Sequence, residues 1–331
     1  GLLSGDTSAL IRAEALWALG DLQGANSMFQ QAMNAEPMNA LPPLRWGELY
    51  MQTYQYQEAY NLFAEALALD PENTFAHIGA ARALAQGGNE EEVNMHMEKV
   101  TGTALAAPGA QLRAMLMLIH SALQGDEFDK ARAALDEAQE FAQEQNLSRL
   151  ELYGLEAAHA FMTNGNYQPF IDAALAQDPA YGDAWAIPGY FAGITRRYKE
   201  SGEFYQKAVE IQPNHWEAHL ELGTNHLRLN QVTPAIDHVR ISYEGDAFNP
   251  KTINTLRMLD DFQEMTVLSF PNPPQGPFPK LQLRLGKEEL PILEKYAREL
   301  AEESIDLYTE RYRFTPNQPI TVEIYPNHED F

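Results

Sequence analysis

The stretch Glu58–Ala66 reads EAYNLFAEA and is followed, five residues on, by Pro71. The earlier stretch Gly24–Ala32 reads GANSMFQQA and is followed in the same way by Pro37, so the two stretches match at one constant offset. In both, a small, a large and a small residue stand at positions i, i+4 and i+7, which lie on one face of a helix. Proline ends the unit, because it lacks an amide hydrogen and its ring clashes with the preceding helical turn. The pattern predicts a helical hairpin that repeats at this offset.

The repeat continues along the chain with variations. Pro179 and Pro213 are separated by the same interval as Pro37 and Pro71, and the small-large-small pattern recurs in the second helices on either side of Pro213. The copy at 108–146 lacks a closing proline, and the copy at 148–181 is shortened, with Pro169 where its second helix begins. We predict seven hairpins, over residues 6–39, 40–73, 74–107, 108–146, 148–181, 182–215 and 216–250.

The 34-residue period, with Ala, a large residue, Ala and Pro at fixed offsets, resembles the tetratricopeptide repeat family. A single hairpin of this kind cannot bury its apolar face, so successive copies stack and each covers its neighbour. The resemblance implies an all-α fold, an α-α superhelix or solenoid, over residues 1–250. It also implies a protein-protein interaction scaffold with no catalytic chemistry of its own, and we expect no catalytic residue and no cofactor in this chain.

In tetratricopeptide stacks the first helices of the hairpins line the concave face. On that basis the polar or aromatic groove positions, which are the tentative partner-binding residues, are Glu14, Glu48, Arg82, His120, Tyr190 and Thr224. One turn earlier they are accompanied by Leu10, Leu44, Ile78, Leu116, Ala186 and Leu220. Family members that hold the carboxylate of a peptide C-terminus do so with Lys and Asn at such positions, whereas here Arg82 is the one strong cation. We therefore predict that the groove binds an apolar or basic protein or peptide segment, with the parent protein's own downstream domain as one candidate.

The composition restricts the partners further. The 331 residues carry 23 Lys and Arg against 47 Asp and Glu, a formal net charge of −24. Such a surface repels phosphate backbones and anionic headgroups, so we expect neither nucleic acid nor a membrane surface as a partner. The absence of cysteine excludes disulfides and thiolate zinc sites but does not indicate a compartment. The chain begins Gly1-Leu2-Leu3 without Met or a leader, which we interpret as an excised fragment whose compartment, cytoplasmic or periplasmic, the sequence leaves open.

The pattern changes after Pro250. We predict a capping helix and a proline-rich linker over 251–279, and then a strand, a long amphipathic helix and a second strand over 280–331. We assign the helix to 287–312 and place Leu290, Leu293, Ala297, Leu300, Ser304, Leu307 and Tyr308 on its apolar side. Two strands and one helix bury too little apolar area to be stable alone. Either this incomplete α+β segment docks on the end of the solenoid, or the parent protein continues into a larger domain, which is the alternative we favour.

The C-terminal residues carry a second resemblance. The proline-rich stretch, the Leu-Arg-Leu strand, the long helix and Ile320–Phe331 (ITVEIYPNHEDF) resemble the beginning of a gluzincin-type metallopeptidase domain of the peptidase MA class, which follows tetratricopeptide arrays in some bacterial proteins. The resemblance implies a zinc motif, His-Glu-x-x-His, beyond Phe331. The alternative function is therefore the substrate-recruiting or gating region of a zinc metallopeptidase. His328-Glu329 itself follows Pro326 directly, so we predict a loop there.

Three histidines near the last hairpin form the remaining candidate site. His215 and His219 are four residues apart, and His226 follows seven residues later. Position 219 is a packing position of the first helix, and His215 lies in the turn after Pro213. We therefore predict histidines packed in the core or the groove and no metal site, with a metal ion held by His219 as the open alternative.

Overall fold

The computed structural model describes residues 8–103, 106–271, 279–316 and 319–325. These residues form sixteen helices and a three-stranded sheet. The chain divides into two compact units, Gly1–Ala218 and His219–Phe331. The structure confirms the predicted fold class, a helical repeat array followed by a small α+β segment. Within the described part of the chain, no helix is both long and apolar enough to cross a membrane.

The first unit consists of paired helices that fall within the predicted repeats. In chain order they are α1 (Ala9–Ala18), α2 (Leu22–Ala35), α3 (Leu41–Gln52), α4 (Tyr56–Leu69), α5 (Thr74–Ala85), α6 (Glu90–Thr101), α7 (Pro108–Gln124), α8 (Phe128–Glu144), α9 (Leu150–Met162), α10 (Gln168–Gln177), α11 (Asp183–Ile194) and α12 (Tyr198–Ile211). Each first helix packs on its own second helix, and neighbouring pairs are in contact. Pro169 lies in the first turn of α10, where the amide hydrogen that it lacks has no partner within the helix.

The packing around Phe63 shows why small and large residues alternate in the repeat. Phe63 of α4 is completely buried. A Cβ atom added to Gly47 of α3 would lie 2.7 Å from a carbon of the Phe63 ring, and one added to Gly79 of α5 would lie 2.5 Å from it. Both distances are well below van der Waals contact. The ring therefore occupies the space that two glycines leave free, and this joins one hairpin to the next.

The turn inside each hairpin contains one residue with a left-handed backbone. These residues have φ between 57° and 81°. They are Gly20, Tyr54, Gly88, Asp126, Asn164, Arg196 and Asn230. Glycine adopts this conformation without a steric cost, and Asn and Asp tolerate it better than other residues do. The conformation thus recurs once in every hairpin, even where Tyr54 or Arg196 occupies the position.

The second unit contains the end of the repeat array and the sheet. Its elements are α13 (Trp216–Arg228) from His219 onward, α14 (Val232–Gly245), α15 (Pro250–Glu264), β1 (Thr266–Pro271), β2 (Pro279–Leu285), α16 (Leu290–Tyr312) and β3 (Ile320–Ile324). β1 is antiparallel to β2 and β2 is parallel to β3, in the order β1-β2-β3.

Strand β1 was not predicted from the sequence. The range 251–279 was interpreted as a helix and a linker, but Thr266–Pro271 pairs with the strand that begins at Pro279. The sequence does not indicate this strand because its apolar residues are buried only by a partner strand. Phe270 and Leu268 lie beside Leu281 and Leu283 of β2. The remaining linker residues 272–278 lie outside the described residues. The same holds for 326–331, including His328 and Glu329.

The two faces of the sheet are covered by different elements of the second unit. Leu281, Leu283 and Leu285 of β2 are completely buried against α16. On the opposite face Arg284, only 7% exposed, donates a hydrogen bond of 2.8 Å to the Asn230 side chain and forms an ion pair with Glu323. Its guanidinium also lies 4.8 Å from the centre of the Phe262 ring of α15. The sheet thus docks on the last helices of the array, which is one of the two arrangements that the sequence left open.

Helix α16 differs from the prediction in which side it buries. Leu293, Ala297, Ala301 and Ile305 pack towards the sheet. Leu300, Leu307 and Tyr308, which were assigned to the same apolar side, are each more than half exposed. The helix carries apolar residues over a wider arc than one contact with a sheet can cover, so the sequence alone did not distinguish the covered stripe from the uncovered one.

Candidate protein-binding groove

The first three predicted groove positions take part in ion pairs between neighbouring hairpins. Glu14 of α1 accepts a hydrogen bond of 2.7 Å from Arg45 of α3, and Glu48 of α3 lies 3.1 Å from Arg82 of α5. Arg82 was predicted to be the one strong cation of the groove, but Glu48 balances its charge. Arg45, which the sequence analysis did not single out, also stacks 5.2 Å above the Trp17 ring. We call this row of residues the ion-pair ladder.

The next two predicted positions form an aromatic pair. The rings of His120 in α7 and Tyr190 in α11 lie 5.2 Å apart, centre to centre. The Gln124 side chain donates a hydrogen bond of 2.5 Å to the Tyr190 hydroxyl. Burial lowers the pKa of His120, and the hydrogen bond with Gln124 opposes this only in part. The imidazole is therefore neutral near pH 7 and presents an aromatic surface rather than a charge.

Thr224, the last predicted position, lies in the second unit. Its hydroxyl donates a hydrogen bond of 2.9 Å to the backbone carbonyl of Leu220, one turn earlier in α13. Such a bond is common for threonine inside helices. The structure therefore brings together His120 and Tyr190, joins Glu48 to Arg82, and places Thr224 in a separate unit.

A cavity of about 490 Å³ opens beside the aromatic pair in the first unit. We call it the central pocket. Its apolar lining comes from the first helices α7, α9 and α11, and it consists mainly of Leu116, Leu155, Ala186, Ile187 and Tyr190. Its ionisable lining, besides His120, consists of Glu151, Asp183, His215 and Glu217. Four of the residues predicted for the groove, Leu116, His120, Ala186 and Tyr190, therefore line one cavity.

His215 and Asp183 form a hydrogen-bonded pair in the wall of the central pocket. His215 Nδ1 accepts a hydrogen bond of 3.2 Å from the backbone amide of Ala218, so Nε2 carries the proton and donates to Asp183 Oδ1 at 2.8 Å. Burial alone would lower the pKa of His215, but the hydrogen bond and charge of Asp183, together with Glu217, raise it above its ordinary value. The pair connects α11 to the start of α13.

Glu151 supplies a second carboxylate at the start of α9. Although its side chain keeps contact with solvent, it lies in a concave part of the surface, and the reduced hydration raises the pKa of its carboxyl. Arg113 opposes this shift, and Asp183 adds to it. A carboxylate with a raised pKa is less stable as an anion, so a cation brought close to it stabilises it more than usual. The central pocket therefore combines an apolar lining with carboxylates suited to a positive charge.

The histidines of the second unit pack against one another. His219 Nδ1 and His238 Nδ1 are 2.9 Å apart, and the His226 ring stacks on His238 at 5.6 Å. Burial and the two neighbouring histidines lower the pKa of His238 to about 4. In the residues that the structure describes, no group of three or more His, Cys, Asp and Glu side chains is arranged to hold a metal ion.

Family models match two parts of the array. Both are described as tetratricopeptide repeat, and they match residues 52–93 and 183–215. The chain thus contains tetratricopeptide repeats, as the 34-residue period predicted. Among solved structures, a tetratricopeptide repeat protein from Parabacteroides merdae matches 76% of this chain and 96% of its own, with a TM-score of 0.54 and 15% identity. At this identity the match shows the fold alone.

Two further comparisons cover less of this chain. PilF from Pseudomonas aeruginosa matches 66% of this chain and 96% of its own length, with a TM-score of 0.41 and 11% identity. The human protein O-mannosyl-transferase TMTC1 is 26% identical over 208 residues. That match covers 60% of this chain but only 22% of the human protein, so the likeness concerns a minor part of the transferase.

Proposed function

We propose that the chain is an interaction scaffold whose central pocket binds a partner segment containing a lysine or arginine next to apolar residues. Tetratricopeptide folds generally bind proteins or peptides, and they are generally non-catalytic. The observation that carries the proposal is the placement of Glu151 and Asp183 above an apolar lining in one cavity of the first unit. The apolar stem of a long cationic side chain fits such a lining, while its charged end reaches the carboxylates.

The other charges of the first unit support this assignment. In the ion-pair ladder Glu14 and Glu48 already face Arg45 and Arg82, so a ligand gains little there. Among the described residues of the central pocket, Glu151 and Asp183 form no ion pair with Lys or Arg, since Arg113 acts on Glu151 only at longer range and Asp183 accepts its hydrogen bond from His215. The rings of His120 and Tyr190 offer additional contact for a cation. The net charge of −24 attracts a basic segment over a longer range and repels an acidic one.

The direct test measures binding of three defined peptide pools, in which a central Lys or Arg, Asp or Glu, or neutral residue is flanked by apolar residues. We expect the basic pool to bind best in fluorescence anisotropy, with an affinity that falls as salt is added. Preference for the acidic pool would contradict the proposal. So would equal binding of all three pools.

Charge-removing substitutions locate the binding. Glu151→Gln and Asp183→Asn are each expected to weaken binding of the basic pool by about tenfold, as for the loss of one partly desolvated charge contact. Glu65→Gln, an equivalent change at an exposed position of α4, serves as the control and should leave affinity unchanged. An equal effect of all three substitutions would indicate a general effect of net charge rather than binding in the central pocket.

A second candidate function is the substrate-recruiting region of a zinc metallopeptidase that extends beyond Phe331. The observation that favours it is the second unit, in which β2, α16 and β3 follow the array in the order that the metallopeptidase resemblance implies. Determining the next hundred or so encoded residues tests this candidate, because the absence of a His-Glu-x-x-His helix there would exclude it. For the chain itself we expect no hydrolysis of casein in the presence of zinc.

A further inference from the structure

A groove of about 620 Å³ runs along the second unit between α16 and β3. We call it the α16–β3 groove. One wall carries Tyr296, Leu300, Tyr308 and Tyr312 of the helix, and the other carries Val322 and Ile324 of the strand. Within the described residues, no charged side chain lines it. It is distinct from the central pocket, which belongs to the first unit and is bordered by carboxylates.

The helix wall of this groove is uncovered. Tyr296 and Tyr312 are each 67% exposed, and Leu300 and Tyr308 are each 51% exposed. A contiguous exposed apolar surface of this kind is unusual on a soluble protein, and it commonly marks an interaction site. We therefore expect the groove to bind an occupant whose contacting surface is apolar.

The strand wall ends in an open edge. β3 is the outermost strand in the order β1-β2-β3, and its far side pairs with no strand among the residues that the structure describes. Natural edge strands are commonly protected by Lys, Pro or a bulge, and ITVEI has neither residue and pairs with β2 without a register shift. Its one charged residue, Glu323, pairs with Arg284 on the other face of the sheet. Within the part of the chain that the structure describes, the outer edge of β3 is thus open to another strand.

We propose that a second copy of this chain occupies the α16–β3 groove. Two copies related by a two-fold axis perpendicular to the sheet place their β3 strands side by side and antiparallel, which forms a six-stranded sheet. The same axis puts both α16 helices on one face of that sheet. Each α16 then supplies the missing wall of the partner copy's groove.

The spacing of the elements suits this arrangement. α16 packs mainly across β2, so the two helices are separated by three strand spacings of about 4.8 Å, or about 14 Å. Helices in direct contact lie about 8–10 Å apart, so bulky side chains must fill the difference. The tyrosines at 296, 308 and 312 supply them from both copies. A smaller lining would leave a void between the helices.

The buried area is consistent with a stable pair. The four aromatic residues Tyr296, Tyr308, Tyr312 and Phe314 are each more than half exposed and all line the groove. Covering them removes on the order of 400–600 Å² from solvent, since a fully buried aromatic side chain contributes about 150–250 Å². Leu300 and the strand edge add to this and bring the total close to the roughly 800 Å² per partner of a typical interface. The net negative charge of each copy opposes association, but the charged side chains lie outside the groove. Added salt screens this repulsion and should therefore strengthen the dimer.

The test is the mass of the chain in solution by sedimentation equilibrium, with two matched variants. Leu300 and Ile292 lie on the same helix and are 51% and 77% exposed, but only Leu300 lines the groove. We expect the unmodified chain to form dimers. Leu300→Glu should raise the dissociation constant by about 100-fold, because it buries an unpaired charge, whereas Ile292→Glu should leave it unchanged.

Three results would overturn the proposal. The first is a monomer at concentrations up to about 100 µM, which is well above the dissociation constants of specific interfaces. The second is a dimer that Leu300→Glu does not weaken. The third is equal weakening of the dimer by both variants. Far-ultraviolet circular dichroism checks that both variants fold, which is expected because both positions are exposed. Peptide binding to the central pocket should be the same for monomer and dimer, so failure of this proposal is distinguishable from failure of the proposed function.

Discussion

The ion-pair ladder and the central pocket lie on first helices of the same repeat type, yet their chemistry differs. In the ladder, Glu14 and Glu48 face arginines of the next hairpin. In the central pocket, Glu151 and Asp183 border a cavity, and Asp183 accepts a hydrogen bond from His215 rather than from an arginine. Hairpins of regular length thus satisfy their own charges across the groove. The irregular copies at 108–146 and 148–181 contribute α7 and α9 to this cavity, and the regular copy at 182–215 contributes α11, so copies of both kinds enclose the proposed binding space.

The largest expected effect tests the packing that both regions share. Phe63→Ala should lower the free energy of unfolding by about 3–5 kcal/mol, because it leaves a cavity between Gly47 and Gly79 that neither helix can fill. Gln57→Ala, at an exposed position of the same helix, should cost less than about 0.5 kcal/mol. Urea unfolding of both variants measures the difference. Similar losses of unfolding free energy at the two positions would mean that the Phe63 ring does not hold neighbouring hairpins together.

The next effect concerns a buried histidine pair near the ladder. His77 Nδ1 and His96 Nδ1 are 2.8 Å apart, and His77 Nε2 lies 3.0 Å from the Pro71 carbonyl oxygen. His77 Nε2 therefore donates to that carbonyl, and His96 donates to His77 Nδ1. His96→Leu removes this donor from a buried acceptor, so it should cost about 1–3 kcal/mol at pH 8. An unchanged unfolding midpoint would contradict this assignment of the protons.

The same pair predicts a pH dependence. Burial lowers the pKa of both His77 and His96, and Lys99 adds to the effect. The unfolded chain therefore binds more protons than the folded chain in this range. The stability from the neutral pair is complete above the ordinary histidine pKa of about 6.5 and is lost as the pH falls towards the lower folded values. His96→Leu should reduce this slope in urea unfolding between pH 8 and 5; an unchanged slope would assign the dependence to other groups, such as His238.

The smallest effect separates the two regions directly. Glu48→Gln breaks an ion pair in which both side chains are about one-third exposed, so it should cost about 0.2–1 kcal/mol, less at high salt. It should not change the affinity for basic peptides, whereas Glu151→Gln should weaken binding without a large loss of stability. A reversed pattern, with binding lost in Glu48→Gln, would move the binding site from the central pocket to the ladder.

Sequence reasoning identified the repeats because their signal is local. Phe63, its flanking alanines and Pro71 all lie within one hairpin, and the same set recurs at a constant interval along the chain. Turn positions with glycine, such as Gly20 and Gly88, could likewise be recognised from residue type. Arg196 occupies the equivalent position without any such signal, because the surrounding helices impose its conformation.

The features that were missed depend on residues far apart in the chain. Glu151 and Asp183 are 32 residues apart, which is close to the repeat period, but that both border one cavity depends on how α9 and α11 pack. The pairing of Asp183 with His215, 32 residues later, was close enough to the repeat period to have been found from the sequence. β1 and the covered side of α16 were missed for the same reason, since the neighbouring strands decide which apolar residues are buried.

The contact between Arg284 and Asn230 has a consequence for the order in which the chain folds. The two residues are 54 positions apart, and Arg284 also requires Glu323, a further 39 residues along. Hairpins of the first unit close over short distances and can form as each one leaves the ribosome, whereas the buried guanidinium gains its partners only after β3 has been synthesised. During translation the second unit therefore becomes protected later than the first, and until then its unpaired strands are more exposed to proteases and chaperones than the hairpins of the first unit.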